Sequence, residues 1–134
     1  MTPFALMLNI CGLSQREAAA FLGVRHDTVK SWGAGRNTAP APVIKELSGL
    51  HVRQRRAAAQ VLAQLRALSR THGLPDAIEL GLACDDHEAQ ARGWPCVGAQ
   101  AAMYGLVIAR ASQMRFRFVP AGSTAATAAA ADRV

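Results

Sequence analysis

Residues 13–36 read LSQREAAAFLGVRHDTVKSWGAGR, a stretch that spells two short helices joined at a glycine. Ser14 and Glu17 have the spacing of a capping box, in which the serine hydroxyl accepts the Glu17 N–H and the glutamate carboxylate accepts the Ser14 N–H. A helix therefore starts at Gln15. Ala18 and Ala19 keep it slim, and Phe21 and Leu22 are the residues expected to supply its buried face. Gly23 is the natural residue for a turn that needs positive φ. Val24 re-enters the core, Arg25 to Thr28 open a second helix, and Val29 and Trp32, three residues apart, mark its inner face. Gly33 and Gly35 are expected to stop it.

This arrangement leaves Arg25, His26, Asp27, Thr28, Lys30 and Ser31 on the outer, N-terminal half of the second helix. A polar helix face of this kind suits the major groove of DNA, where each base pair presents its own pattern of donors and acceptors. Arg25 matches guanine and Asp27 matches cytosine N4, but the two are equally placed to pair with each other, and the arginine with phosphate. His26 suits solvent as well as a base. Gln15 at the start of the first helix joins the candidate contacts, as do Arg36 and Asn37 in the loop 36–41, which are placed for phosphate. An ordinary pair of packed helices would share the inner pattern. The coincidence of capping box, turn glycine and polar outer face favours DNA.

The stretch resembles the helix-turn-helix of Cro/C1-type (XRE-like) phage repressors. In that family small alanines occupy the middle of the first helix, glycine the turn, and valine and tryptophan the recognition helix, followed by a Gly-Arg pair. Here those positions are Ala19, Gly23, Val29, Trp32, Gly35 and Arg36. The family usually has glutamate directly after the tryptophan, where this chain has Gly33. A local ion pair is thereby missing, and the end of the second helix is expected to fray.

A chain of 134 residues allows one domain of ordinary size or two very small ones. Residues 1–75 hold ten Lys/Arg against Glu17, Asp27 and Glu46, a balance of +7, whereas residues 76–134 hold five Arg against six acids, a balance of −1. A basic first half suits a polyanion such as DNA, with a membrane surface as the competing partner. No apolar run has the length of a membrane span, and the N-terminus lacks a charged region followed by a cleavage site. A cytoplasmic protein is expected. Cys11, Cys84 and Cys96 are an odd number without disulfide-framework spacing, so reduced thiols are expected. Cys84, His87 and Cys96 lack an obvious fourth ligand for zinc, and neither metal nor other cofactor is expected.

Thr2 and Pro3 have the character of a cap and first residue of an initial helix, whose Phe4, Leu6, Met7, Leu8, Ile10 and Cys11 are expected to be mostly buried. Helical periodicity resumes near Ala41, with Pro42 tolerated in the first turn and Val43, Ile44, Leu47 and Leu50 on one face. His51 to Thr71 sets Arg53, Arg55, Arg56, Arg66 and Arg70 beside an apolar stripe of Ala57, Ala58, Val61, Leu62, Leu65 and Leu68. Ser48-Gly49 leaves open whether this is one helix or two, and the arginines suit either phosphate or plain solvent. Gly73 and Pro75 close the segment.

Beyond Pro75 the period changes to two. Ile78, Leu80 and Leu82 alternate with Glu79 and Gly81, and Met114, Phe116 and Phe118 alternate with Arg115 and Arg117, as half-buried strands do. Asp85 and Glu88 mark a capped helix start between them. Two carboxylates beside His87 also fit acid/base chemistry, but consecutive residues point in different directions on a helix and neither nucleophile nor phosphate-cradling loop accompanies them. No enzymatic activity is expected. Val97 to Arg110 is an apolar helix with more surface than a two-stranded sheet covers, so part of it is expected to meet another chain. The tail 121–134 is alanine-rich, low in complexity and expected to be disordered.

These features add up to a mainly α protein. An N-terminal helix-turn-helix DNA-binding domain with a long basic helix occupies residues 1–70, and a small α+β dimerisation domain residues 74–120. The expected function is sequence-specific repression of transcription by a homodimer on a palindromic, inverted-repeat site in double-stranded DNA. The succession of helix-turn-helix, proline-started helix, arginine-rich helix and short strand/helix segment also resembles the anti-CRISPR-associated (Aca) autorepressors, which implies an autorepressor of a phage or mobile element. The alternative is an antitoxin or protein-interaction adaptor that uses the two helices as a scaffold.

Overall fold

The computed structural model describes residues 1–73 and 75–122. Those residues form a mainly helical fold in the order α1 (Pro3–Cys11), α2 (Gln15–Leu22), α3 (His26–Ala34), α4 (Ala41–Thr71), β1 (Ile78–Leu82), α5 (Asp86–Ala91), α6 (Val97–Arg110) and β2 (Phe116–Pro120). The expected disordered tail lies, from residue 123 onward, outside the described residues. No described helix is long and apolar enough to cross a membrane. The chain packs as two compact units that divide inside α4, after Arg53.

In the first unit, Thr2 caps α1 by accepting the Ala5 N–H at 3.1 Å, and Gly12, with φ of 76°, ends it. Phe4, Leu8 and Cys11 recur at helical spacing and are buried. Leu6 and Ile10, expected inside, are instead 50 % and 42 % exposed. Apart from Asn9, α1 is apolar on every side, and a helix packed on one side buries only one stripe. In α2 the burial is likewise reversed from expectation: Ala18 and Ala19 are buried, and Phe21 and Leu22 are half-exposed. The small residues let the neighbouring backbone come close, and the large ones are left at the margin.

Helix α4 runs without interruption through Ser48-Gly49. Leu47 and Leu50 lie in the first unit's core, where the Cys11 thiol donates to the Leu47 carbonyl at 3.5 Å. Burial pushes that thiol up to about 11. Ala57, Ala58, Val61, Leu62 and Leu65 are buried within the second unit. Periodicity alone places residues 54–70 with the first half, because the helix ends only at Thr71; packing assigns them to the second. The charge divides accordingly, with six Lys/Arg against three acids in residues 1–53 and eight against five in residues 54–122, +3 in each.

The two strands of the second unit pair in parallel, in register from Ile78 opposite Phe116 to Leu82 opposite Pro120. Parallel neighbours need a long crossover, and α5 and α6 supply it. The second strand begins two residues later than its alternation suggests, because Met114 still belongs to the turn after α6, its N–H donating to the Ala111 carbonyl at 2.9 Å. Asp85 caps α5 by accepting the Glu88 N–H at 2.8 Å, as its position predicts. The Glu88 carboxylate returns to the Cys84 N–H at 3.0 Å, one residue before the reciprocal capping-box position. Asp86 accepts the Val97 N–H at 3.0 Å and so closes the start of α6.

Three polar side chains inside this unit bond to backbone. Gln100, fully buried, donates to the Gly81 carbonyl at 3.3 Å and accepts the Ala83 N–H at 2.8 Å. Tyr104 donates to the same Gly81 carbonyl at 2.7 Å, and Gln54 donates to the Ala99 carbonyl at 3.0 Å. Replacing Gln100 by leucine leaves the Ala83 N–H buried without its acceptor. The expected loss is about 1–3 kcal/mol, read as a lower urea midpoint with unchanged slope, and smaller than additive when combined with Tyr104→Phe because both side chains serve one carbonyl.

Candidate nucleic-acid interface

Helices α2 and α3 are joined by a turn at Gly23, whose φ is 68°. A Cβ there would meet nothing within 4 Å, so backbone conformation rather than crowding demands glycine. The capping box that starts α2 is complete, with Ser14 N–H donating to Glu17 at 2.9 Å and Glu17 N–H donating to the Ser14 hydroxyl at 3.1 Å. The Val24 N–H donates to the Ala19 carbonyl at 3.1 Å, closing the turn.

Val29 and Trp32 are buried on the inner face of α3. The Trp32 ring meets Phe4 of α1 edge-on, with centroids 5.4 Å apart and planes at 72°. Gly33 lies inside the helix and does not end it; Gly35, with φ of 81°, is the cap. A side chain from outside the helix reaches this end of α3, where fraying is expected from the sequence. The Thr2 hydroxyl lies 3.4 Å from the Trp32 carbonyl and 3.3 Å from that of Gly33, and donates to them while it caps α1. A Cβ at Gly33 would sit 3.2 Å from the Gln15 amide nitrogen, the end of an exposed, flexible side chain.

At 100° per residue, Asp27, Lys30, Ser31 and Ala34 fall opposite Val29 and Trp32, with His26 and Thr28 at the borders. Burial agrees: Asp27, Lys30 and Ala34 are exposed, and His26, Thr28 and Ser31 are half-buried. Arg25 is the N-cap residue rather than part of the helix, and its guanidinium lies 3.8 Å from the Asp27 carboxylate with both side chains more than four-fifths exposed. Solvent screens such a pair strongly, so it is easily exchanged for other partners.

Asn37 folds back on α3, donating through its side chain to the Ser31 hydroxyl at 2.7 Å, while the Arg36 N–H donates to the Ser31 carbonyl at 3.0 Å. Arg25, Asp27, Thr28, Ser31 and Asn37, with Trp32, line one shallow polar recess of about 350 Å³. Lys30 and Arg36 are exposed outside it, His26 is half-buried, and Gln15 lies against Gly33. Ala34 on the outer face and Thr2 beneath the helix end were not legible as part of this surface. A lone alanine carries no chemical signal, and the Thr2 bonds cross about thirty residues of sequence.

The acidic segment Asp85 to Glu88 is occupied structurally. Asp85, Asp86 and Glu88 each accept a backbone N–H. Among the described residues no three His, Cys, Asp or Glu side chains are gathered as metal ligands; Cys84 is exposed and Cys96 buried. The Glu88 charge raises the Cys84 thiol above its ordinary value, and the hydrogen bond from the Cys84 backbone holds the Glu88 carboxyl below its own.

No known protein family and no curated protein matches this chain.

Two measurements check this geometry. Trp32→Ala removes the ring packed on Phe4 and is expected to cost ~3–5 kcal/mol, seen as a large drop in denaturation midpoint, whereas Arg25→Ala and Lys30→Ala change the unfolding free energy by no more than about 0.5 kcal/mol. Glu88→Gln removes the charge beside Cys84 and is expected to speed alkylation of that thiol at pH 8, because a lower pKa raises the thiolate fraction. Peptide mapping after brief iodoacetamide treatment reads it.

Proposed function

We propose that the chain is a sequence-specific DNA-binding repressor that acts as a homodimer on an inverted repeat, in the manner of a phage or mobile-element autorepressor. One observation carries this reading. A short helix, α3, is anchored from within by Val29 and Trp32 and turns Asp27, Lys30, Ser31 and Ala34 outward, with Arg25 and Asn37 beside them. Alanine apart, that is a compact set of donors and acceptors carried by one exposed helix, an element that the major groove admits.

The polar roles follow from chemistry. Lys30 and Arg25 are donors for guanine O6 and N7 or for phosphate, and Asp27 accepts from cytosine N4. Ser31 accepts from Asn37, so its own hydroxyl hydrogen is left to donate outward, toward a phosphate or a base acceptor. Gln15, Arg36 and Asn37 flank the helix as phosphate contacts. A second α3 about 34 Å away extends the site to a palindrome and supplies the specificity that one nine-residue helix lacks.

A second reading, an antitoxin or interaction adaptor, draws on the exposed Leu6 and Ile10, which lie four apart on α1 in the same unit. Salt separates the two readings, since only DNA binding releases condensed counterions. Selection from random-sequence DNA is expected to return an inverted repeat. Arg25→Ala and Lys30→Ala are each expected to weaken binding to it about 5–150-fold, the equivalent of ~1–3 kcal/mol for a lost base contact, without change in far-ultraviolet circular dichroism. Unchanged affinity in both variants, or no enriched sequence, overturns the proposal.

A further inference from the structure

The two-stranded sheet of the second unit has two edges, and they are treated differently. The Ile78 N–H donates to the Arg115 carbonyl at 2.7 Å and the Ala121 N–H donates to the Leu82 carbonyl at 3.1 Å. Along a strand the backbone groups alternate in direction, so Ile78, Leu80 and Leu82 face β2, while Glu79 and Gly81 face the outer edge of β1. That edge is closed in part from within the unit, at its Gly81 end. Gln100 and Tyr104 both donate to the Gly81 carbonyl, and Gln100 accepts the next outward N–H, that of Ala83.

On β2 the same alternation turns Arg117 and Val119 toward β1 and leaves the N–H and C=O groups of Phe116 and Phe118 facing outward. Among the described residues nothing bonds to them. The side chains of this strand are also poorly covered: Phe118, although its ring lies 5.8 Å from that of Tyr104, is 48 % exposed, and Phe116 is half-buried. An open strand edge bearing exposed aromatics is a template for another strand, and a parallel sheet of only two strands is an unusually small one.

We infer that the outer edge of β2 docks β2 of a second copy of this chain in antiparallel orientation, on a two-fold axis at Arg117, to give a continuous four-stranded sheet. The occupant is a second copy because the edge is complementary to itself in that register. Phe116 falls opposite Phe118 of the second copy as a hydrogen-bonded pair, and the symmetry repeats it, so all four outward groups of each strand's two phenylalanines find partners. Aromatic side chains then meet across the strands on the face toward α6. On the other face the two Arg117 residues become neighbours, a like-charge contact that the carboxylate paired with each arginine offsets. Each carries its own Glu79 carboxylate, with Arg117 Nε donating to Glu79 at 3.0 Å, so the charges across the joined sheet run carboxylate, guanidinium, guanidinium, carboxylate and sum to zero. A two-fold at Phe118 instead would set Phe116 opposite Pro120, which has no N–H to give.

The inference specifies the homodimer of the proposed function and does not depend on DNA binding. Its test is chemical cross-linking. In the full chain with Cys84→Ser, the substitution Arg117→Cys places two thiols on the two-fold axis at a non-hydrogen-bonded position, where Cα atoms are about 4.5 Å apart, within disulfide reach. The substitution Arg115→Cys puts them roughly 14 Å apart at strand rise, beyond it. Mild oxidation is expected to give a covalent dimer with Arg117→Cys and not with Arg115→Cys. In sedimentation the unmodified chain is expected to be dimeric at micromolar concentration, and Phe118→Asp to weaken the dimer at least tenfold with circular dichroism unchanged. The inference is overturned by a monomeric unmodified chain, by a covalent dimer from Arg115→Cys in place of one from Arg117→Cys, or by a dimer indifferent to Phe118→Asp together with no cross-link from Arg117→Cys. DNA binding by a monomeric chain would overturn it while leaving the DNA reading intact; a dimer cross-linked through Arg117→Cys but without DNA affinity would do the reverse.

Discussion

The packing of Trp32 on Phe4 is the contact on which the candidate interface depends. A nine-residue helix has no stability of its own in water, so the direction in which α3 presents its polar groups is set by what its inner side touches. Val29 supplies buried volume and Trp32 supplies orientation, because an edge-on aromatic contact fixes both the distance and the rotation of the helix about its axis. Thr2 completes the arrangement by sharing its hydroxyl hydrogen between the Trp32 and Gly33 carbonyls at the helix end, the first of which also accepts the Gly35 N–H. The start of the chain is therefore a structural part of the surface that α3 offers.

The second unit is organised around a different constraint, the need of buried backbone groups for partners. Gln100 and Tyr104 sit one turn apart on α6 and converge on the Gly81 carbonyl, while Gln54 on α4 reaches the Ala99 carbonyl. These bonds tie α4 and β1 to α6 where apolar side chains alone would leave rotation and sliding undetermined. They also make the two edges of the sheet unequal. At the exposed starts of α5 and α6 carboxylates likewise accept backbone N–H groups, which is why a cluster with acid/base character in sequence is committed to helix starts in the fold.

Charge acquires a different meaning once the packing is known. The +7 of residues 1–75 suggests a basic half, yet Arg55, Arg56, Arg66 and Arg70 belong to the second unit, and each unit carries +3. What distinguishes the first unit is local placement, with Arg25, Lys30 and Arg36 around one helix face. Interactions of exposed charges fade over about 8–10 Å at ordinary salt, so such local grouping governs a polyanion's approach more than a sum over the chain does.

Elements whose signals are local could be read from the order of residues alone. The Ser14–Glu17 box, Gly23, Gly35, Thr2-Pro3 and Asp85 each satisfy backbone groups within a few residues, so helix starts and turns were legible, as was the polar set on α3 that periodicity puts opposite Val29 and Trp32. The alternation in Ile78–Leu82 and around Phe116 likewise announced two strands. Which apolar residues lie inside was a matter of packing: Leu6, Ile10, Phe21 and Leu22 have the chemistry of core residues, but burial depends on which side a neighbour occupies. The fold decided that the strands run parallel, since alternation is blind to direction and the α5–α6 crossover sets it. It decided where α4 divides between units, and that Asn37 bonds to Ser31 and Thr2 to the end of α3. Those contacts join residues that folding brings together, and no spacing rule reaches across a turn and a loop to foretell them.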